Sequence, residues 1–291
     1  MIGILEKYPI KQIVVKEVFP ALSEIPSPPK TLYIRGTLPH KDFILLTVVG
    51  SRKISPYGKE AIRKIISGLK GYPIVIVSGL ALGVDSEAHL IALDIGCPTI
   101  AIPGSGLDES VIYPRMHLNL AKRILDTGGC LLSEFNPDEK AAIWTFPKRN
   151  RIMAGIARAT LVIEAEKPSG TLITSKLATD FGRDVFAVPG SIFSKNSLGP
   201  HMLIKLGATP IENSEDILEA FGFDISKKDN SLSLLELSEE EKELIKILSS
   251  PKTRDEIINE LNWNISKISE ILTLLEIKGF IKESVGKIYL I

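Results

Sequence analysis

The sequence has few residues that cross-link or ligate, and it has no excess of charge. It contains two cysteines, Cys97 and Cys130, and neither lies in a CxxC pair or beside a histidine framework. This spacing argues against a disulfide scaffold and against zinc, and we interpret both thiols as buried structural groups. Lysine plus arginine and aspartate plus glutamate each number 35, so the formal net charge is zero. The balance excludes a surface that is basic throughout, and any polyanion site must be a local patch.

Long apolar runs and the common nucleotide motifs are also missing. No uninterrupted apolar stretch approaches the ~20 residues of a membrane span, and the start MIGILEKYPI has no secretory-signal pattern. We therefore expect a cytoplasmic protein without a membrane partner. The segment GSRKISPYGK has the wrong spacing for a Walker A loop, and no GxGxxG occurs. The sequence thus predicts no NAD, no ATP, no other cofactor and no metal.

Short apolar segments alternate with helical segments from Phe43 to Gly190. These segments are continuously apolar, which is typical of strands buried on both faces of a parallel sheet. The helices between them have ~10–15 residues, a pattern that indicates a doubly wound α/β domain. The predicted strands are Ile44–Gly50, Ile74–Val77, Thr99–Ile102, Cys130–Leu132, Leu161–Ile163 and Val185–Val188.

Composition predicts four segments in the 291 residues. Residues 1–40 are proline-rich, and we expect an irregular lead-in with one short strand near Tyr33 that packs on the main domain. Residues 41–222 are the predicted Rossmann-like domain, which is long enough to bury a sizeable core. Residues 223–236 are polar and predict a linker. Residues 237–291 are the predicted small C-terminal domain.

The C-terminal pattern is typical of a winged-helix domain. Ser238 and Glu241 have capping-box spacing at the start of a first helix. Two further helices follow, the last predicted to end at Lys278, and a hairpin is expected around Gly286. Because the third helix carries as many acidic as basic residues, we favour a structural or protein-contact role over duplex readout.

Residues 146–174 organise the predicted functional site. Lys148, Arg149 and Arg151 crowd a predicted basic turn before a short helix. A buried strand follows, and Ser169-Gly170-Thr171 then opens another helix. A helix N-terminus after a sheet strand, with arginines nearby, is the layout of an anion site.

Glycine turns follow five of the predicted strands, and all those strand ends lie at one edge of a parallel sheet. Ligands bind outside such an edge. We expect one crevice lined by Gly50-Ser51-Arg52, Ser78-Gly79, Pro103-Gly104, Ser169-Gly170-Thr171 and Pro189-Gly190.

Several side chains near this crevice admit two roles. Phe146 either stacks a base or packs under the loop. Arg149 and Arg151 either hold phosphates or form internal ion pairs with Glu164 or Asp184; we expect at least one to be paired internally, because a buried unpaired arginine is costly.

A backbone or ribose contact suits Glu164 and Glu166 better than an acid/base pair. His89, on the helix face of Asp85, is expected to make a structural hydrogen bond.

Together, these motifs resemble the DNA-processing protein A family, DprA, also called Smf. The matching segments run in one order from about Phe19 to Phe221. They are Gly50-Ser51-Arg52, SGLALGVD at 78–85, FPKRNRIMAGIA at 146–157, SGTLITS at 169–175 and VPG at 188–190. The tail is similar to the winged helix of many members. In one departure, His201 stands where the family usually has asparagine, so the contacts of that asparagine are in doubt.

The resemblance implies an extended Rossmann-like fold that binds single-stranded DNA without catalysis and forms a homodimer. It also implies that the protein protects incoming DNA and helps to load the RecA recombinase in natural transformation. Arg52 and the three cations of the basic turn would hold phosphates, and backbone N–H groups of Ser51, Gly79 and Gly170 would add neutral donors. The predicted DNA- and phosphate-binding residues are Gly50, Ser51, Arg52, Ser78, Gly79, Phe146, Lys148, Arg149, Asn150, Arg151, Ser169, Gly170 and Thr171.

Two other functions compete with this one. The related phosphoribohydrolases that resemble cytokinin-activating LOG proteins use a PGGxGTxxE turn, but this chain has SGTLIT without the glutamate. A duplex-binding regulator would act through the winged helix, and the modest charge of its third helix argues against it.

Overall fold

The computed structural model describes residue 3 and residues 5–224, 238–248, 251–261, 263–277, 280–284 and 286–290. The chain divides into two compact units, Met1–Phe223 and Asp224–Ile291. The division falls beside the start of the predicted linker, of which residues 225–236 lie outside the described residues.

A nine-stranded sheet forms the first unit. Its strands are β1 Ile10–Val14, β2 Thr31–Gly36, β3 Ile44–Val49, β4 Ile74–Ser78, β5 Thr99–Ala101, β6 Cys130–Ser133, β7 Ala159–Val162, β8 Asp184–Ala187 and β9 Thr209–Pro210. They pair in the order β1-β2-β6-β5-β4-β3-β7-β8-β9. All pairs from β6 to β9 are parallel, which confirms the predicted doubly wound sheet.

Eight helices accompany these strands in the described part of the first unit. They are α1 Val15–Val18, α2 Pro56–Ser67, α3 Val84–Asp94, α4 Leu118–Asp126, α5 Thr145–Ile156, α6 Gly170–Asp180, α7 Leu198–Lys205 and α8 Ser214–Ala220. Within the described ranges of the whole chain, no helix has both the length and the apolar character needed to cross a bilayer.

Apolar side chains bury both faces of the sheet. Ile100 and Ile102 belong to one core cluster, whereas Ala101 between them belongs to a second. In the same way, Cys130 and Leu132 belong to the first cluster, and Leu131 belongs to the second. Because successive strand residues point to opposite faces, each face has its own core, as the continuous apolar runs predict.

The N-terminal segment differs from the predicted irregular lead-in. It contributes two strands to the sheet: β2 pairs antiparallel with β6, and β1 pairs antiparallel with β2 at the edge. Between these strands, Pro20 opens a 3₁₀ turn, Pro20–Glu24, and Pro26, Pro28 and Pro29 lie in the loop after it. The sequence IKQIV of β1 lacks the apolar–polar alternation of a half-buried strand, because Ile13 and Val14 are adjacent and all five side chains are at least partly exposed at the sheet edge.

The second unit has three helices in its described residues, α9 Glu239–Ile247, α10 Arg254–Leu261 and α11 Ile265–Ile277. Its antiparallel hairpin joins β10 Ile281–Ser284 to β11 Lys287–Leu290. The predicted capping box is present, since Ser238 Oγ accepts the Glu241 N–H and Glu241 accepts the Ser238 N–H. The predicted helix end at Lys278 lies outside the described residues.

Candidate nucleic-acid interface

The main cavity lies where the chain reverses its direction across the sheet. From β3 the chain continues to β4 on one side, whereas from β7 it continues to β8 on the other. The connections therefore diverge past the carboxyl ends of β3 and β7 and leave a crevice, as doubly wound sheets do at such a point. The cavity has a volume of about 430 Å³, and the loop after β3 and the start of α6 line it.

The start of α6 offers uncommitted donors to this cavity. The first N–H groups of a helix have no acceptor within it, and the helix dipole makes this end positive. The Thr171 hydroxyl donates to the Gly50 carbonyl at 3.0 Å and so fixes the helix start against the loop after β3. Among the described side chains, the Ser169 hydroxyl oxygen is a buried atom without a hydrogen-bond partner. Ser169 lines the cavity, so a polar atom without a protein partner lies at the cavity edge.

Arg52 carries positive charge at the mouth of the cavity. It is exposed, and its guanidinium carbon lies 5.2 Å from the centroid of the Phe146 ring. The alternative role for Arg52 is to brace the loop from Pro103 to Pro114 through Asp108 or Glu109, but the Glu109 carboxylate accepts the Leu5 N–H at 2.8 Å. Lys53, which is not among the residues predicted from the sequence, is exposed and also lines the cavity. Its position directly after Gly50-Ser51-Arg52 was the available signal.

Phe146 forms a wall of the cavity and is partly buried. A Cβ atom on Gly104 would lie 2.6 Å from its ring, so the ring packs directly on that backbone. Its centroid is 5.9 Å from that of Tyr113. Phe146 therefore has the packing role that was one of its two predicted roles. Its ring also contacts the Arg52 guanidinium.

Arg149 borders the cavity but is not an exposed phosphate ligand, contrary to the prediction. Only 6% of it is exposed, and its Nη1 donates to the carbonyls of Gly79 and Ile102, which directly follow β4 and β5. Asp85 accepts the Gly79 N–H at 3.1 Å, so that N–H is not available to a phosphate. Burial raises the pKa of Asp85, and the Arg149 charge opposes this shift. Arg149 thus holds two strand ends together beneath the cavity.

Lys148 and Arg151 do not line the cavity, because the predicted basic turn is part of α5. Side chains on an α-helix rotate by about 100° per residue, so neighbouring cations point in different directions. Lys148 Nζ lies 5.6 Å and 5.9 Å from the ring centroids of Phe135 and Trp144. Arg151 forms an internal ion pair, as expected of one of the two arginines, but with Glu134 rather than Glu164 or Asp184. Asn150, also on this helix, does line the cavity.

Three of the predicted glycine turns are covered or committed elsewhere. The Ser78 hydroxyl donates to the Val48 carbonyl at 2.7 Å, and Ser78 is fully buried. Gly104 lies under the Phe146 ring, as described above. The Pro189 carbonyl accepts the Tyr57 hydroxyl at 2.5 Å, and the ring Nε2 of His201, in the family's asparagine position, lies 3.0 Å from the Gly190 carbonyl. These turns follow β4, β5 and β8, which flank the β3–β7 pair in the sheet.

The carboxylates and the buried histidine have structural partners. Glu164 is buried and accepts the Ser55 N–H at 3.0 Å, which confirms the backbone contact predicted for it. It also places negative charge at the positive end of α2. Glu166 is exposed and lines the cavity, so the two glutamates do not act as a pair. His89 Nδ1 lies 2.7 Å from Thr99 Oγ1, and burial lowers the pKa of His89 to about 3, so this ring is neutral.

Fold and site together define a class: a Rossmann-like domain with a cation-lined cavity at its topological switch point, followed by a winged-helix domain. The family model described as DNA recombination-mediator protein A matches residues 6–222. The DprA winged helix domain matches residues 228–287. The chain belongs to the DNA processing protein A family, DprA/Smf.

Individual relatives agree with this assignment. The chain is 45% identical over 205 residues to the DNA processing protein DprA of Streptococcus pneumoniae, covering 69% of this chain and 70% of the relative. It is 43% identical over 195 residues to the protein Smf of Escherichia coli, covering 67% of this chain but only 52% of the relative.

Two solved structures are similar. The X-ray structure of DprA from Streptococcus pneumoniae aligns with a TM-score of 0.66 at 41% identity, covering 76% of both chains. A Helicobacter pylori DprA structure, described as giving insights into a single-stranded DNA binding mode, aligns with a TM-score of 0.64 at 26% identity. That alignment covers 74% of this chain and 96% of the other.

Proposed function

We propose that this protein binds single-stranded DNA at the cavity between the β3 loop and the start of α6. The observation that carries the proposal is the cavity itself, which combines two exposed cations with a helix N-terminus at the switch point. Arg52 and Lys53 hold phosphates, and the N–H groups of Gly170 and Thr171 add neutral donors. Membership of the DNA processing protein A family and the single-stranded DNA described for the Helicobacter relative support this assignment.

The form of the cavity favours a single strand over a duplex. A volume of about 430 Å³ suits one nucleotide, and a base enters such a space only when it has left its stack. In a single strand the bases are already free to turn outward, so this step costs little. A duplex offers the same phosphates but would have to open first.

The wider role that we propose is the one implied by the family. The protein protects incoming DNA and helps to load a RecA-type recombinase during natural transformation, as a homodimer in the cytoplasm. It acts by binding rather than by catalysis, and no metal or cofactor takes part in it. Two carboxylates line the cavity among the described residues, and one of them, Asp85, is buried and accepts the Gly79 N–H. Its engagement leaves Glu166 without a free partner carboxylate there, which supports a binding role.

We expect the full chain to bind single-stranded DNA more tightly than blunt duplex of the same length, with little sequence preference. Fluorescence anisotropy at several salt concentrations measures both affinities. Single-strand affinity should fall as salt rises, with a log–log slope of roughly −0.7 for each phosphate held. Equal or tighter affinity for the duplex would contradict the proposal. Release of free base from nucleoside monophosphates would support the hydrolase hypothesis instead.

We also expect a chain ending at Asp224 to keep most of its single-strand affinity. The cations described in the second unit are largely neutralised: Lys267, on α11, lies 2.5 Å from Glu240, and Arg254 lies 2.7 Å from Glu283. Few of the cations described in this unit are therefore free to contact phosphates. Loss of most affinity in a shortened chain that still melts cooperatively would show that the winged-helix unit takes part in binding.

A further inference from the structure

A second, much smaller cleft, with a volume of about 30 Å³, adjoins the main cavity. The two share Arg52, Ala81 and Phe146, so Phe146 is the wall between them. The remaining lining of the second cleft is mostly apolar and includes Leu82 and Tyr113. The function proposed above places one nucleotide in the main cavity and leaves this cleft without a role.

Tyr113 presents an aromatic platform in this cleft. It is 48% exposed, and Leu82 is 40% exposed. The Tyr113 ring is not free to turn at random, because it packs against Phe146 at a centroid distance of 5.9 Å and an interplanar angle of 59°. An exposed ring that is held in place loses little side-chain entropy when a planar group stacks on it. Nucleobases are such groups, and stacking on aromatic side chains tolerates any base.

Arg52 lies at the boundary of the two spaces. Its guanidinium is over the Phe146 ring, and among the described residues it is the only charged one that lines the second cleft. A phosphodiester that links two nucleotides carries its charge between the two bases. Arg52 lies in the same way between the apolar cleft and the main cavity. The two spaces could therefore receive one base each, with the linking phosphate at Arg52.

We propose that the base next in sequence to the nucleotide in the main cavity stacks on the exposed face of Tyr113 beside the second cleft, with the linking phosphate at Arg52. This inference rests on the proposed function and adds the path that the strand follows when it leaves the cavity. The strand then turns toward Leu82 and the loop that contains Tyr113, and not across the exposed Trp144, which lines neither space.

The test separates base stacking from phosphate contacts. The full chain, Tyr113→Ala, Tyr113→Phe and Trp144→Ala are titrated with oligothymidylate of about 20 nucleotides and with an abasic strand of equal length. Tyr113→Ala should weaken oligothymidylate binding by about 5- to 100-fold and leave abasic-strand binding unchanged. Tyr113→Phe should bind like the parent, because stacking needs the ring and not the hydroxyl. Trp144→Ala is the matched control, since Trp144 is 54% exposed, and it should change neither affinity.

Three results would overturn the inference while leaving the proposed function intact. One is parental affinity of Tyr113→Ala for oligothymidylate. Another is an equal loss on both strands, which would indicate a disturbed loop rather than lost stacking. The third is a loss with Trp144→Ala instead, which would put the strand across Trp144. Failure of the parent to bind either strand would remove the proposed function, and this inference with it.

Discussion

Replacing Arg149 with methionine is expected to lower the free energy of unfolding of the first unit by about 3–5 kcal/mol. The substitution leaves the Gly79 and Ile102 carbonyls without their buried donor and leaves Asp85 without the charge that opposes its burial. A buried polar group that loses its partner keeps the full cost of its removal from water. Denaturant unfolding of the full chain and the variant, followed by circular dichroism, measures the difference.

The pH dependence of this difference gives a second check. Burial already raises the pKa of Asp85, and loss of Arg149 should raise it further. A carboxyl whose pKa is higher in the folded state stabilises the fold while it is protonated, and this stabilisation is lost as pH rises through the folded pKa. The deficit of Arg149→Met should therefore be larger at about pH 8 than at about pH 5.

Lys148→Met is the matched control for Arg149, because it removes the same charge one residue earlier on α5. Lys148 is exposed and makes only ring contacts among those described, so its loss should cost about 0.5–1 kcal/mol. Equal stabilities of the two variants would show that Arg149 does not hold the strand ends together.

Replacing Arg52 with alanine is expected to lower the affinity for single-stranded DNA and to leave the stability of the fold nearly unchanged. One charge-assisted phosphate contact contributes about 1.5–3 kcal/mol, which is roughly tenfold or more in affinity. The salt dependence should become shallower by about one phosphate's share. The melting temperature should change little, since Arg52 is exposed and its described contact is the Phe146 ring. Anisotropy titration and thermal melting of the same preparation measure both.

Arg63→Ala is a suitable control for Arg52, because Arg63 is an exposed arginine of α2 that lines neither the cavity nor the cleft. It makes the same change in net charge and should leave single-strand affinity nearly unchanged. Unchanged affinity of Arg52→Ala with a lowered melting temperature would contradict the role assigned to Arg52 and would make it a structural brace.

Much of the architecture was predictable from local pattern. Continuous apolar runs such as ILLTVVG predict buried parallel strands, and the core on both faces of the sheet confirms this. The capping box at Ser238 was also predictable, because it depends on residues three positions apart. By contrast, β1 was missed, since an edge strand pairs by its backbone and needs no apolar signature.

Local sequence pattern predicted the candidate site only in part. By itself, the sequence determined that Gly50-Ser51-Arg52 and Ser169-Gly170-Thr171 follow strands of one parallel sheet, so their meeting at one edge followed from strand direction alone. It did not determine which cations face that edge. Arg52 and Arg149 are both arginines near the predicted crevice, yet one is exposed at the cavity mouth and the other is buried beneath it. Strand order and the rotation of α5 decided this, because both depend on packing between segments that are far apart in the chain.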